Sequence, residues 1–228
     1  MCKMKLITKM LIKNICNIFI LVQLSFISNA DINNSLICTF IGNKGVGKTS
    51  IIEKLGARVT DEQKNTHDIE LQIDAEVTAD NGEKLYVKYL EYDYNVTQNH
   101  QLSLQLKNSD LVFFIYSKDN ENSYNELKDF IINTLKDKDI ESGKYYLIGN
   151  KSDFKKGTIN VEINDDLATF KSSHKIVDFD VSATLGKNIV DIKNIIIDHA
   201  KEKYNNSVKK MEKKEKRLEL CSTYKLSS

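Results

Sequence analysis

From Ser35 onward, apolar and polar positions alternate with two distinct periods. "SLICTFIG" (35–42) is a short apolar run suited to a buried strand, and "KTSIIEKLG" (48–56) has helical spacing and stops at Gly56. "DIELQIDAEV" (68–77) and "KLYVKYLEY" (84–92) alternate apolar and polar residues around "DNGE", where Asn81-Gly82 predicts a tight antiparallel hairpin. A polar stretch, 95–108, comes next. Beyond it the pattern predicts strand 110–117, helix 122–137, strand 144–150, helix 165–173, strand 175–182 and helix 188–204. Strands alternating with helices of this length make βα units. They predict an α/β fold with a six-stranded, mostly parallel sheet, one antiparallel strand, and helices on both faces.

Both ends of the chain depart from this pattern. Lys3, Lys5, Lys9 and Lys13 precede "ICNIFILVQLSFI", and "SNA" ends at Ala30, so residues 1–30 have the form of a secretory signal peptide or an anchor. Asn17 and Gln23 interrupt the apolar run, which falls short of the roughly 20 residues a membrane-spanning helix needs. Residues 205–228 form a charged tail that continues the last helix and then frays.

The near-neutral total of +1 conceals an uneven distribution. Residues 31–200 carry twenty basic and twenty-eight acidic side chains, a net of −8, between two basic ends. An acidic body argues against nucleic acid as a partner, because phosphate binding there needs a Lys/Arg surface. Cys2, Cys16, Cys38 and Cys221 show no metal or redox spacing, Cys221 does not form a prenylation box, and the four histidines are scattered.

Chemistry concentrates at three strand ends. Gly42 to Thr49 reads G-N-K-G-V-G-K-T, a G-x-x-x-x-G-K-[ST] motif lying between a predicted strand and a predicted helix. Its glycines let the backbone wrap phosphate closely, Lys48 supplies a cation, and Thr49 offers a hydroxyl to Mg²⁺. The motif resembles the phosphate loop of the P-loop NTPases. "GNKSDF" (149–154) then places Asp153 at a strand end, where its carboxylate can accept two N–H bonds from guanine N1 and N2, a donor pair adenine lacks. The third element is "DVSATLG" (180–186).

In order and spacing these motifs resemble the Ras superfamily of small GTPases, with a Ras- or Rab-like character, over about residues 35–204. The resemblance implies that Gly42, Lys44, Gly45, Val46, Gly47, Lys48, Thr49 and Ser50 surround the phosphates of GTP or GDP. It implies that Asn150, Lys151 and Asp153 bind guanine, and that Ser182, Ala183 and Thr184 complete the base pocket, Thr184 standing where the family usually has Lys. Thr49, Thr66 and Glu91 would serve Mg²⁺, with Thr60 a weaker candidate for the switch threonine and Asp93 a rival to Glu91. Lys48, Thr66 and Asn95 would act in hydrolysis. The implied partners are protein effectors and regulators, and a monomer is expected.

At the switch that follows the second hairpin strand, "EYDYN" (91–95) stands where the family has Asp-x-x-Gly followed by a water-orienting Gln. Tyr94 replaces the Gly whose backbone N–H approaches the γ-phosphate, and Asn95 is one methylene shorter than Gln. Lys44 adds bulk in the path of an arginine finger. Slow GTP hydrolysis is therefore expected, the alternative being a GTP-binding scaffold that does not hydrolyse. A nucleotide-dependent domain implies the cytosol, with basic ends that suit peripheral membrane contact. A functional signal at 1–30 implies instead a secreted effector.

Overall fold

The computed structural model describes residues 35–60, 70–95, 99–135, 144–154, 168–169, 171–172 and 175–226. The signal-like segment and Thr66 lie outside the described residues. The elements run β1 (Leu36–Ile41), α1 (Lys48–Lys54), β2 (Glu70–Thr78), β3 (Lys84–Tyr92), α2 (Asn99–Asn108), β4 (Leu111–Ser117), α3 (Glu121–Leu135), β5 (Tyr145–Asn150), β6 (Val177–Asp180) and α4 (Ile189–Leu226). Six strands form one sheet in the order β2-β3-β1-β4-β5-β6. Only β2 and β3 pair antiparallel, and the other neighbours are parallel. This is the mixed sheet that the alternation of periods predicts.

The pleat of β4 shows how the two faces are built. Every residue of this central strand is buried. Leu111, Phe113 and Ile115 join a cluster with Ile51 and Ile52 of α1 and Ile192 and Ile196 of α4. Val112, Phe114 and Tyr116 point the other way, into a cluster with Leu102 and Leu106 of α2 and Tyr124, Leu127 and Ile131 of α3. Helices thus cover both faces, because a period of two sends alternate side chains into two cores.

Three local differences from the sequence pattern have physical causes. The 95–108 stretch is mostly helix, since Leu102 and Leu106, one turn apart, bury together although their neighbours are polar. In the hairpin turn Ala79 N–H donates to Glu83 O at 2.9 Å, and only Gly82, at φ 81°, is left-handed. The turn is thus wider than a two-residue Asn-Gly loop, which would need both central residues at positive φ. At the other end α4 runs unbroken to Leu226, since no glycine or proline follows Gly186 to stop it. Of the expected helix 165–173, the described residues 168–169 and 171–172 are helical. Among the described residues no helix is long and apolar enough to cross a membrane.

Candidate functional site

Strands β1, β4 and β5 are parallel, so their C-terminal ends open at one edge of the sheet, and the loops leaving them converge there. The loop after β1 is fixed by close approach. A Cβ on Gly42 would sit 2.3 Å from Ile115 O of β4, and one on Gly47 would sit 2.3 Å from Asn150 Nδ2. Gly47 is also the N-cap of α1 at φ 94°, a conformation that costs an L side chain energy. These glycines hold the loop tight against β4 and β5.

Lys48 folds back over the loop. Its Nζ donates to Gly42 O at 2.8 Å and to Asn43 O at 3.0 Å, and stands 3.7 Å from Glu91 Oε1. Burial lowers its pKa, opposed by the nearby carboxylates of Glu91 and Asp93. Thr49 Oγ1 donates to Glu91 Oε2 at 2.7 Å. Glu91 therefore meets both the lysine and the threonine of the loop. Asp93 turns to its own backbone, where Oδ1 accepts Asn95 N–H at 3.0 Å. The strand explains the difference. Leu85, Val87 and Tyr89 face the α1 side of the sheet, and Glu91 continues that phase, whereas Asp93 lies beyond the end of β3.

Asn150, 2 % exposed, ties three loops together. Its Nδ2 donates to Val46 O at 2.9 Å, and its Oδ1 accepts Ala183 N–H at 3.1 Å. Lys151 follows at φ 60° and extends its Nζ to Asp119 Oδ2 at 3.1 Å. Ser117 also donates to Asp119. Burial works to raise the Asp119 pKa, but the bonds from Ser117 and Lys151 outweigh it and hold the carboxyl below its usual range. Ser182 is buried and accepts Leu185 N–H at Oγ, while Asp153 and Thr184 are exposed at the rim. A cavity of 390 Å³ opens between these loops, lined by Lys44, Gly45 and Val46, by Ser117, Asp119 and Asn120, and by Lys151.

The family model described as Ras family matches residues 38–202. The chain belongs to the Ras family. It is a small GTP-binding protein, and guanine nucleotide is the ligand expected at the converging loops. A comparison with curated proteins gives no match.

In this Ras-family chain the residues singled out from the sequence fall into two groups. Gly42 through Gly47 lie on the loop after β1 and Lys48, Thr49 and Ser50 on the first turn of α1, Asn150 ends β5 and Lys151, Ser182 and Ala183 follow on the neighbouring loops, and Glu91 joins them from the end of β3. Thr66 lies outside the described residues, and Thr60 is exposed shortly after α1. Asn95 is brought to the phosphate loop, where its Nδ2 donates to Asn43 Oδ1 at 2.8 Å. Tyr94 beside it is buried, its ring stacked on Phe130 of α3 at 4.9 Å and 14°. Burial, then the carboxylates of Glu126 and Asp93, push its phenol pKa up, with the Asn43 amide opposing.

Three residues escaped the sequence reading: Asn43, Glu126 and Asp119. Asn43 fills a variable position of the loop motif. Nothing local marks the other two, because their partners lie 83 and 32 residues away.

Among the described residues no cluster of three or more His, Cys, Asp or Glu is placed to hold a metal by itself. A hydroxyl and a carboxylate in contact nonetheless suit Mg²⁺, which commonly takes one or two protein oxygens and completes its shell with waters and phosphate oxygens. Thr49 and Glu91 are the residues that fit it.

Proposed function

We propose that this chain is a Mg²⁺-dependent guanine-nucleotide switch that hydrolyses GTP slowly. The observation that carries the reading is the meeting of Lys48, Thr49 and Glu91 at the mouth of the phosphate loop. Lys48 is held at the loop by two carbonyl oxygens and is the cation available to the β- and γ-phosphates. Thr49 and Glu91 would hold Mg²⁺, which when bound neutralises charge on the phosphate oxygens. Asn150 keeps the phosphate loop in register with the base-binding loops, and the exposed Asp153 carboxylate is free to accept the N1 and N2 protons of guanine. Asn95, at the loop through Asn43, is the side chain left to orient the attacking water.

Slowness follows from position 94. With the Tyr94 ring packed on Phe130, the backbone that would swing toward a γ-phosphate is anchored from behind. The same anchor supports a second reading, a GTP-binding module without turnover, that stays loaded as a scaffold. In either form the protein works as a monomer in the cytosol or at a membrane surface, with protein effectors as partners.

Nucleotide extracted from the purified full chain, followed by single-turnover hydrolysis, tests both readings. The switch predicts bound guanine nucleotide and GDP formation that Lys48→Ala abolishes. Retained GTP with no GDP formed selects the module. ATP bound as well as GTP sinks both.

A further inference from the structure

The amide of Asn95 has its direction set from a distance. Asn95 Nδ2 donates to Asn43 Oδ1 at 2.8 Å, and Asn43 Nδ2 donates in turn to Glu126 Oε2 on α3. An amide side chain can turn its oxygen or its nitrogen toward a neighbour, so two amides in contact have two ways to pair. A carboxylate has no proton to give. Glu126 therefore requires the NH₂ of Asn43, which leaves the Asn43 oxygen for Asn95, which in turn requires the NH₂ of Asn95. The one group left pointing away is Asn95 Oδ1, an acceptor.

Helix α3 supports the same segment a second time. Phe130 lies one turn beyond Glu126 and carries the Tyr94 ring, so residues four apart on one helix face hold two consecutive residues of the 93–95 segment. Asp93 closes the local turn by accepting Asn95 N–H. Both the backbone and the amide polarity of Asn95 are fixed before nucleotide is considered.

We propose that Glu126 is a positioning residue for GTP hydrolysis: through Asn43 it keeps Asn95 Oδ1 turned outward to accept a hydrogen bond from the attacking water. The proposal rests on the reading of the chain as a slow GTPase. In the step it serves, the water oxygen bonds to Pγ as the bond from Pγ to the β,γ-bridging oxygen breaks. GDP departs with that electron pair, and both protons of the water end on the released phosphate, one still on the attacking oxygen and one passed to a γ-phosphate oxygen. Asn95, Asn43 and Glu126 are unchanged at the end. An Asn one methylene short of Gln is useful here because the relay holds it in place.

The charge at position 126 provides the test. In the full chain, Glu126→Lys replaces an acceptor with a donor and reverses both amides, turning the Asn95 NH₂ outward. Glu126→Ala leaves the pair unset, whereas Glu126→Gln keeps a carbonyl acceptor for Asn43. Single-turnover hydrolysis is expected to fall roughly tenfold or more in the Lys variant, less in Ala, and to stay within about twofold in Gln. Affinity for a fluorescent GDP stays within about threefold for Gln and Ala, and Glu121→Gln on the same helix behaves as the native chain. A Lys variant as fast as native, or a Gln variant as slow as Ala, overturns the proposal. If the Lys variant does not fold, the contrast between Ala and Gln decides. A native chain that binds GTP without turnover overturns the GTPase reading and this proposal with it; a native chain that turns over while the variants keep pace overturns the proposal alone.

Discussion

Asn150 shows how one buried amide can organise a site. The sequence marks it as a base-binding residue, but both of its hydrogen bonds go to protein, one to the phosphate loop and one to the loop after β6. Asn150→Ala removes both and strands a buried carbonyl and N–H, a loss of about 1–3 kcal/mol per unsatisfied group. Urea denaturation without added nucleotide should show that loss, and fluorescent GDP should leave faster. Asp119 acts on the same wall through Lys151. Its carboxyl is held below the usual range, so whatever stability the ionised form contributes is complete above the unfolded-state pKa near 4 and is lost as pH falls through the lower, folded value. The melting-temperature difference between native protein and Asp119→Asn is therefore expected to be flat from about pH 5 to 7 and to shrink below about pH 4. An equal difference at all pH values would show the charge to be irrelevant. The motif glycines, Lys48 and Asn150 are legible in the sequence because the chain keeps them close to their spacing partners. Choosing Glu91 over Asp93 needs the end of β3, at Tyr92, which the motif alone does not carry.

At the scale of elements, the strands and the flanking helices α1 and α3 follow from hydrophobic period, and the one that does not is α2. Among the described side chains of α2, Leu102 to Asn108, Leu102 and Leu106 are the buried ones, and Leu104 between them is 54 % exposed, so composition reads as loop while a two-residue stripe makes a helix. Leu102→Ala should destabilise by about 2–5 kcal/mol in urea, and Leu104→Gln by no more than about 0.5 kcal/mol. Equal effects would contradict the helix face. The connection from β3 into α2 carries the functional consequence. Tyr94→Gly removes the ring stacked on Phe130 and restores a backbone free to move toward the phosphates. The variant is expected to melt earlier and to hydrolyse GTP faster in single-turnover assays, a trade of stability for activity. If it hydrolyses no faster, slowness must come from another part of the site.

For the whole molecule, α4 raises the question of where the folded body ends. Ile189, Ile192, Ile196, Ile197 and Ala200 pack into the core, and Lys203 adds an ion pair to Asp110 Oδ2 at 2.5 Å. That carboxylate also accepts Ile37 N–H at 2.7 Å, so the pair joins the helix to the start of β1. From Tyr204 to Lys213 the side chains are exposed or half-buried, and none belongs to either core cluster. At 1.5 Å per residue the remainder extends roughly 30 Å further as helix. In the sequence the apolar stripe thins out near Tyr204, shortly after Ala200 of the core; where the helix stops it does not show, because a Lys/Glu-rich run without glycine or proline is helix-permissive with or without a core. Burial and helicity therefore separate along α4, and truncation separates them experimentally. A chain ending at Ser207 keeps every core residue among those described and the Lys203–Asp110 pair, so its melting temperature and GDP affinity are expected to match the full chain. A chain ending at Ile195 loses Ile196, Ile197 and Ala200, side chains whose burial contributes several kcal/mol together, against a total stability of about 5–15 kcal/mol. It is expected to be unfolded or to melt far earlier. Loss of nucleotide binding in the chain ending at Ser207 would mean that the exposed helix takes part in the site, and would move the boundary of the domain beyond Ser207.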